Sequence, residues 1–498
     1  MSEPLLPTMR PVRLKPFRFA IVRAGDYVRH PNPYYAGNPF IECLEQFVDL
    51  EFLADRLERL PLWSESQRQL SPVHRGQLAS SLRRLVIALP RLVELARACI
   101  DLIMEGYCGR EPFLPRHNAL LQARYSTRVA RLKLKDAARV AAVEASLAKA
   151  EASNDDSSRL ENSGALRELM TAFIGSSGSG KTTALERVAN LYPDVLYHEE
   201  HGIWQIPVLI IRFPPDGRSL HALATAIIEE IDRRLPDCGY KAEYIHKRRG
   251  NATERLGPAY DLLHIHAVGL VLFDDSQDQK NAEPRRKRER RIQTAGPQDE
   301  PSTITPEMEA PLISLLLAAS QKFGVPIVLV GTNELTDVLE GRFSTSRRGS
   351  GYSMQQWGLL EMSGSLKEPA EFELLLMSLW GYQLLLEDVP LTPDMVRLFA
   401  DLTQGISDMV VKLYIATIRQ ALKDGLESFD EALVSKTFEE EFKTVHRALE
   451  ALRTNDPSKL VRYPDIAPTD LRTGARYEQA AVRMHLQNVQ RKGRRPTA

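Results

Sequence analysis

Cysteine is scarce in this chain of 498 residues, with four at Cys43, Cys99, Cys108 and Cys238. No C-x-x-C or zinc-type spacing links them, which argues against a disulfide framework or structural zinc module and for reduced thiols in a cytoplasm. Net charge is absent as well. The 65 basic residues balance 65 acidic ones, so any affinity for nucleic acid must come from local patches. No apolar run is long enough to span a bilayer: the longest, Leu374 to Leu386, is broken by Ser378, Gly381 and Gln383. It reads as a core helix, and no membrane partner is expected. The N-terminus, Met-Ser-Glu-Pro-Leu-Leu-Pro, lacks the basic-then-apolar pattern of a secretory leader. What remains, 43% hydrophobic and 26% charged, is the composition of an ordinary globular chain, and its length predicts about two or three domains.

What the chain does have is a glycine-spaced loop. Gly175-Ser176-Ser177-Gly178-Ser179-Gly180-Lys181-Thr182 matches G-x-x-x-x-G-K-[ST] at every fixed position. The glycines let backbone N–H groups curl around phosphate oxygens. Lys181 is expected to reach the β/γ-phosphates, and the Thr182 hydroxyl to ligate Mg²⁺. Thr183 to Leu191 reads as the helix whose positive N-terminus faces the same phosphates. The motif thus predicts an ATP site with Mg²⁺.

Residues 1–40, rich in Pro, Arg and aromatics, read as an extended arm without a core of its own. Residues 40–150 carry helical spacing in Leu82 to Met104 and Thr127 to Ala150, with Pro90 kinking or splitting the first. From about Leu166, short apolar strands alternate with helices: Met170–Ile174, Val208–Phe213, Leu270–Phe273 and Pro326–Val330. Past residue 365 the spacing predicts helices alone, over Pro369–Leu386, Pro393–Leu402, Ser407–Leu422 and Phe429–Leu452. Thr392-Pro393 marks one helix start, and Ser428-Phe-Asp-Glu431 reads as a capping box. The expected fold is α/β, a P-loop AAA+ core with a parallel sheet at 161–365. A partner-binding N-terminal arm and helical extension at 1–160 would precede it, and an all-helical lid at 366–452 would follow. Residues 453–498, with ten basic and four acidic residues, read as a mobile basic tail.

A second phosphate-site element should be an apolar strand ending in acids, and Leu270-Val-Leu-Phe-Asp274-Asp275 provides it. Asp274 would hold the Mg²⁺ shell and Asp275 would orient or deprotonate the attacking water; the plain alternative is a strand that merely ends in two acids. The usual residue at the second position is Glu, one methylene longer, so either the water sits closer here or hydrolysis is slow. Asn333, closing Pro326-Ile-Val-Leu-Val330-Gly-Thr332-Asn333, would sense the γ-phosphate, or cap the next helix, or both. Arg342, Arg347 and Arg348 are candidates for an arginine finger reaching a neighbouring subunit's nucleotide, with Arg347 or Arg348 preferred; such a finger can contribute ~10³–10⁵ in rate. Lys247-Arg248-Arg249 and the run Arg285 to Arg291 are either solvated faces or a groove for DNA phosphates. No aromatic-rich strand or helix-turn-helix pattern marks direct base readout.

Together these residues resemble the TnsC/TniB family of AAA+ transposition regulators. Tyr35-Ala-Gly-Asn-Pro-Phe-Ile-Glu-Cys-Leu44 is similar to the family's N-terminal motif, and Ser179 to Val188 with Leu191-Tyr-Pro193 to its phosphate-loop helix. Arg212-Phe-Pro-Pro-Asp-Gly217, Gly324 to Asn333, Leu379-Trp-Gly-Tyr-Gln383 and Leu402-Thr-Gln-Gly-Ile-Ser-Asp408 extend the likeness over about residues 30–425. The resemblance implies an ATPase that binds double-stranded DNA with ATP and assembles into rings or helical filaments in a bacterial cytoplasm. Such a protein connects a target selector of the TnsD/TniQ kind to transposase subunits, and hydrolysis limits the assembly's lifetime. The tail would then be a dock for transposase. Two features depart from the family: the Asp274-Asp275 pair, and a longer basic insertion after Gln277.

Two other functions compete with this one. An initiator or helicase-loading ATPase would carry a C-terminal winged helix, for which the poorly apolar stretch after Leu452 offers no room. A nucleotide-dependent signalling switch would leave both basic clusters as solvated surface, without affinity for DNA.

Overall fold

The computed structural model describes residues 18–108, 110, 169–214, 220–235, 238–246, 252–276, 324–336 and 355–468. Its centre is a five-stranded sheet in the order β5-β6-β7-β2-β8, formed by β5 (Val208–Arg212), β6 (Leu270–Asp274), β7 (Ile327–Gly331), β2 (Met170–Gly175) and β8 (Gln355–Trp357). Every pairing in it is parallel. Buried on both faces, these strands must be apolar throughout rather than alternating, as Met-Thr-Ala-Phe-Ile-Gly and Ile-Val-Leu-Val-Gly are. In the register of the strands, Arg212 pairs with Asp274, Phe273 with Leu329, and Ile174 with Gly331. The carboxyl ends of four strands therefore lie along one edge, where parallel α/β sheets place their ligands.

One face is covered by α6 (Leu220–Arg234) and α7 (Ala252–Ile265), through Leu223, Ile227, Ile231 and Leu263. The other face receives α5 (Lys181–Ala189) and, from far upstream, α4 (Pro90–Tyr107). Leu102, Ile103 and Tyr107 of α4 are fully buried, each stabilising by about 1.5–3 kcal/mol. The Tyr107 hydroxyl donates to the Ala267 carbonyl at 2.9 Å, and it approaches so closely that Gly269 has no room for a Cβ. Pro90 splits the predicted Leu82–Met104 segment by starting α4 at its first helical position, where a missing N–H costs nothing.

The lid comprises α8 (Glu371–Trp380), α9 (Pro393–Thr403), α10 (Ser407–Lys423), α11 (Glu431–Glu441), α12 (His446–Thr454) and α13 (Pro457–Leu460). Phe372, Leu376, Phe399, Leu413 and Tyr414 fill its core. Thr392 caps α9 as the sequence predicts, its hydroxyl accepting from Met395 N at 3.1 Å. The predicted Phe429–Leu452 helix is two helices, and the cap is Asp430, accepting from Leu433 N at 2.9 Å, rather than Ser428.

The arm, expected to have no core of its own, pairs with another part of the chain: β1 (Phe19–Val22) runs parallel to β3 (Val195–His198), which also pairs antiparallel with β4 (Ile203–Gln205). One expectation is corrected. The tail does not begin at 453. Residues 453–468 continue the lid, because Leu460, Val461, Ile466 and Ala467 are buried in its core. A count of charges missed these four apolar side chains.

The N-terminal extension also joins the two cores. Its α3 (Pro72–Ser81) adds Ala79 to the lid core, next to Leu82 and Leu85, while α4 packs on the sheet. Arg75, buried in the lid, holds Glu427 with two bonds of 2.6 and 2.8 Å. Arg91 grips Glu371 of α8, with Nε to Oε1 at 2.8 Å, and donates to the Gly358 carbonyl at 3.2 Å. Arg75→Ala should lower unfolding free energy by about 1–3 kcal/mol, since Glu427 keeps partial solvent access. Its partner sets the pH window. The Arg75 bonds hold the Glu427 carboxyl below its usual value, so the pair's contribution is present above the unfolded carboxylate value and lost as pH falls through the lower, folded one. Urea denaturation of parent and variant across acidic pH checks both statements.

Candidate functional site

The loop between β2 and α5 sits at the carboxyl edge of the sheet. Gly178 and Gly180 take φ +79 and +90, left-handed conformations that a side chain resists. At Gly178 a Cβ would also meet Ile406 of the lid at 2.8 Å. The Gly178 carbonyl accepts from the Ser407 hydroxyl at 2.9 Å and from Asp408 N at 3.1 Å. The first turn of α10 is thus fastened to the loop, and Ile406 and Ser407 lie close to Ser176, Ser177 and Ser179. Ser176 N also donates to the Trp357 carbonyl at 3.2 Å. The Ser179 hydroxyl is buried without a hydrogen-bond partner among the described residues, a donor available to an anion.

Lys181 opens α5 and turns back over the loop, donating to the Gly175 and Ser176 carbonyls at 2.8 and 2.9 Å. Burial pulls its ammonium down to about 8, and the nearby carboxylates of Asp274, Asp275 and Asp465 work against that fall. Thr182 Oγ1 donates to Asp274 Oδ2 at 2.8 Å. Burial raises the Asp274 carboxyl above its ordinary value, and the Thr182 hydroxyl opposes the rise. Thr183 follows in the same helix.

The oxygens of Thr182 and Asp274 are the hard, compact donors that Mg²⁺ prefers. Among the described residues no three His, Cys, Asp or Glu side chains cluster as a metal cage. A magnesium ion here would therefore rely on phosphate oxygens for the rest of its shell, its habit in phosphoryl-transfer sites.

Asp275 stands at φ +59, in the left-handed region that Asp tolerates better than most residues. Its N–H donates to Asp274 Oδ1 at 3.0 Å, and its carboxylate meets Arg212 Nε at 3.0 Å. Arg212 ends the neighbouring strand, so the β5–β6 register produces this ion pair. Asn333 is buried just past β7, its amide donating to the Ala467 carbonyl at 2.6 Å. In addition, Ser177 N donates to the Asp465 carbonyl at 2.8 Å.

The structure thus brings together Gly175 to Thr183, Asp274, Asp275 and Asn333. Lys247, Arg248, Arg249, the run 285–291, Arg342, Arg347 and Arg348 lie outside the described residues. Sequence reasoning missed Arg212, Trp357 and the segment around Asp465. Trp357 and Asp465 act through backbone carbonyls, which leave no mark on residue type; Arg212 needed the strand register.

Residues 166–339 match the family model of an AAA domain. This stretch is accordingly an AAA-family ATPase domain, a nucleotide-hydrolysing class that usually works with Mg²⁺, and the parallel sheet is its P-loop AAA+ core. No curated protein matches the chain in sequence. Among solved structures it is similar to the Aeropyrum pernix ORC2 protein in its ADP form, at 20% identity and a TM-score of 0.33, over 64% of this chain and 75% of that one. No described helix is long and apolar enough to cross a membrane.

Lys181 gives the site a pH dependence whose sign follows from its lowered value. If the Lys181 ammonium holds a phosphate as the motif predicts, nucleotide affinity should be flat below pH 8 and fall by up to about tenfold per unit above it. Folding feels the opposite sign: the buried ammonium costs stability below that pH, and the cost fades at higher pH as the folded protein loses the proton before the unfolded chain does. Fluorescent-nucleotide titrations between pH 7 and 9 check the binding, with Lys181→Arg expected to flatten the decline.

Proposed function

We propose that this protein is an ATP-dependent AAA+ regulator that oligomerises on double-stranded DNA and links a target-selection protein to a transposase, hydrolysis limiting the assembly's lifetime. The observation that carries the nucleotide half is the 2.8 Å bond from Thr182 to Asp274, which unites the phosphate loop and the acidic strand in one site. The DNA and transposase half is supported by the TnsC/TniB-like motifs from residue 35 to residue 408.

In this reading, the amides of the 175–182 loop and the Lys181 ammonium hold the triphosphate. Thr182 and Asp274 hold Mg²⁺, which when bound neutralises and orients the phosphates. Asp275 positions the attacking water or takes its proton, and Asn333 senses the terminal phosphate. The ion pair to Arg212 keeps the Asp275 carboxylate partly occupied, consistent with slow turnover. Lys247, Arg248 and Arg249 supply DNA-phosphate contacts, and Arg347 or Arg348 completes a neighbour's site across a ring or filament.

Sedimentation with duplex DNA tests this reading. The parent should form large assemblies with DNA and ATP or a non-hydrolysable analogue, and Asp275→Asn should form the same assemblies and keep them after ATP would otherwise be spent. If the interface neutralises six to ten phosphates, DNA affinity should fall ~10³–10⁵-fold between 50 and 200 mM salt. A protein that stays monomeric with DNA and analogue would contradict the proposal. Assembly restricted to one origin-like sequence would favour the initiator alternative.

A further inference from the structure

The segment after α13 lies on the phosphate loop, and its own turn presents it there. Tyr463 N donates to the Leu460 carbonyl at 2.8 Å, and Ala467 N to the Tyr463 carbonyl at 3.1 Å. From that compact turn the Asp465 and Ala467 carbonyls accept hydrogen bonds from outside the segment. The first accepts from Ser177 N of the loop, and the second from the Asn333 amide. Ile466 and Ala467 anchor the turn in the lid core. Two carbonyl oxygens, each with partial negative charge, thus occupy two donors of a site built for phosphate oxygens.

We propose that residues 463–467 are a built-in occupant of the terminal-phosphate position, expelled by ATP and readmitted with ADP. This rests on the nucleotide reading above and adds a regulation of the same site. Ser177 N has a single hydrogen and loses the Asp465 carbonyl when it turns to a terminal phosphate, so the triphosphate and the docked turn compete for it, with the Asn333 amide beside them. A diphosphate leaves both donors with the turn. Asp465 adds selectivity, because its carboxylate lies within electrostatic reach of Lys181 and would repel the extra phosphate charge. The state of the nucleotide is thereby written into the position of the chain's C-terminal segment. Residues 469–498, with seven basic and two acidic residues, follow it directly in sequence.

Hydrogen exchange on the unmodified full-length protein tests this. Amides across 461–468 should exchange about tenfold faster with ATPγS and Mg²⁺ than without nucleotide, and at the unliganded rate with ADP and Mg²⁺. Unchanged or slower exchange there with ATPγS, while loop residues 175–183 become protected, overturns the proposal. If neither nucleotide protects 175–183, the nucleotide reading itself fails, a separate result. Ile466→Glu gives a second arm: unseating the turn should tighten ATPγS binding by about 3- to 10-fold and leave ADP binding unchanged. Equal ATPγS affinity in a variant whose lid amides remain protected contradicts the mechanism, and if the lid loses protection the wild-type exchange result decides alone.

Discussion

The carbonyl of Gly178 accepts two hydrogen bonds from the first turn of α10, and the geometry of the site depends on that junction. The loop needs Gly178 twice over, for its positive φ and for the room that Ile406 takes. The lid in turn is held in place by α3 and α4, whose arginines bond Glu427 and Glu371. The contact between loop and lid is therefore only as well defined as the packing of an N-terminal extension distant in sequence. Because α4 also completes one face of the sheet, core and lid share a structural support rather than meeting at a free hinge.

Much of this was legible in the sequence, and the reasons are local. A phosphate loop must be glycine-rich and follow an apolar strand, so Gly175 to Thr182 and Met170–Ile174 could be read together. Leu270–Phe273 and Pro326–Val330 were visible because strands buried on both faces are continuous apolar runs. The short β8, Gln355–Trp357, carries no such run and owes its place to pairing with β2. Ser428 could be mistaken for the cap that Asp430 provides, because both residues precede the same apolar pattern. Tertiary contacts were out of reach. Arg212 meets Asp275 only because β5 and β6 are in register, and 463–467 reaches the loop through the main-chain oxygen of Asp465.

The acidic pair shows how one strand end can divide two roles. Asp274 is buried against Thr182, while Asp275 turns away at a left-handed backbone position towards Arg212. The sharp turn leaves one on the Thr182 side of the loop and the other on the side of Arg212, although the Asp275 charge, after burial, still helps to raise the Asp274 carboxyl. In the proposed function, slow hydrolysis and a self-occupied phosphate position would suit the same purpose, a nucleotide that times an assembly rather than drives a motor.

The proposed function requires a nucleotide bound at the 175–182 loop. A cryo-electron microscopy structure with ATPγS, Mg²⁺ and duplex DNA measures this. Triphosphate density should be cradled by Gly175 to Thr182, with metal density beside Thr182 and Asp274. A loop without nucleotide, or nucleotide bound elsewhere in the chain, would contradict that binding mode.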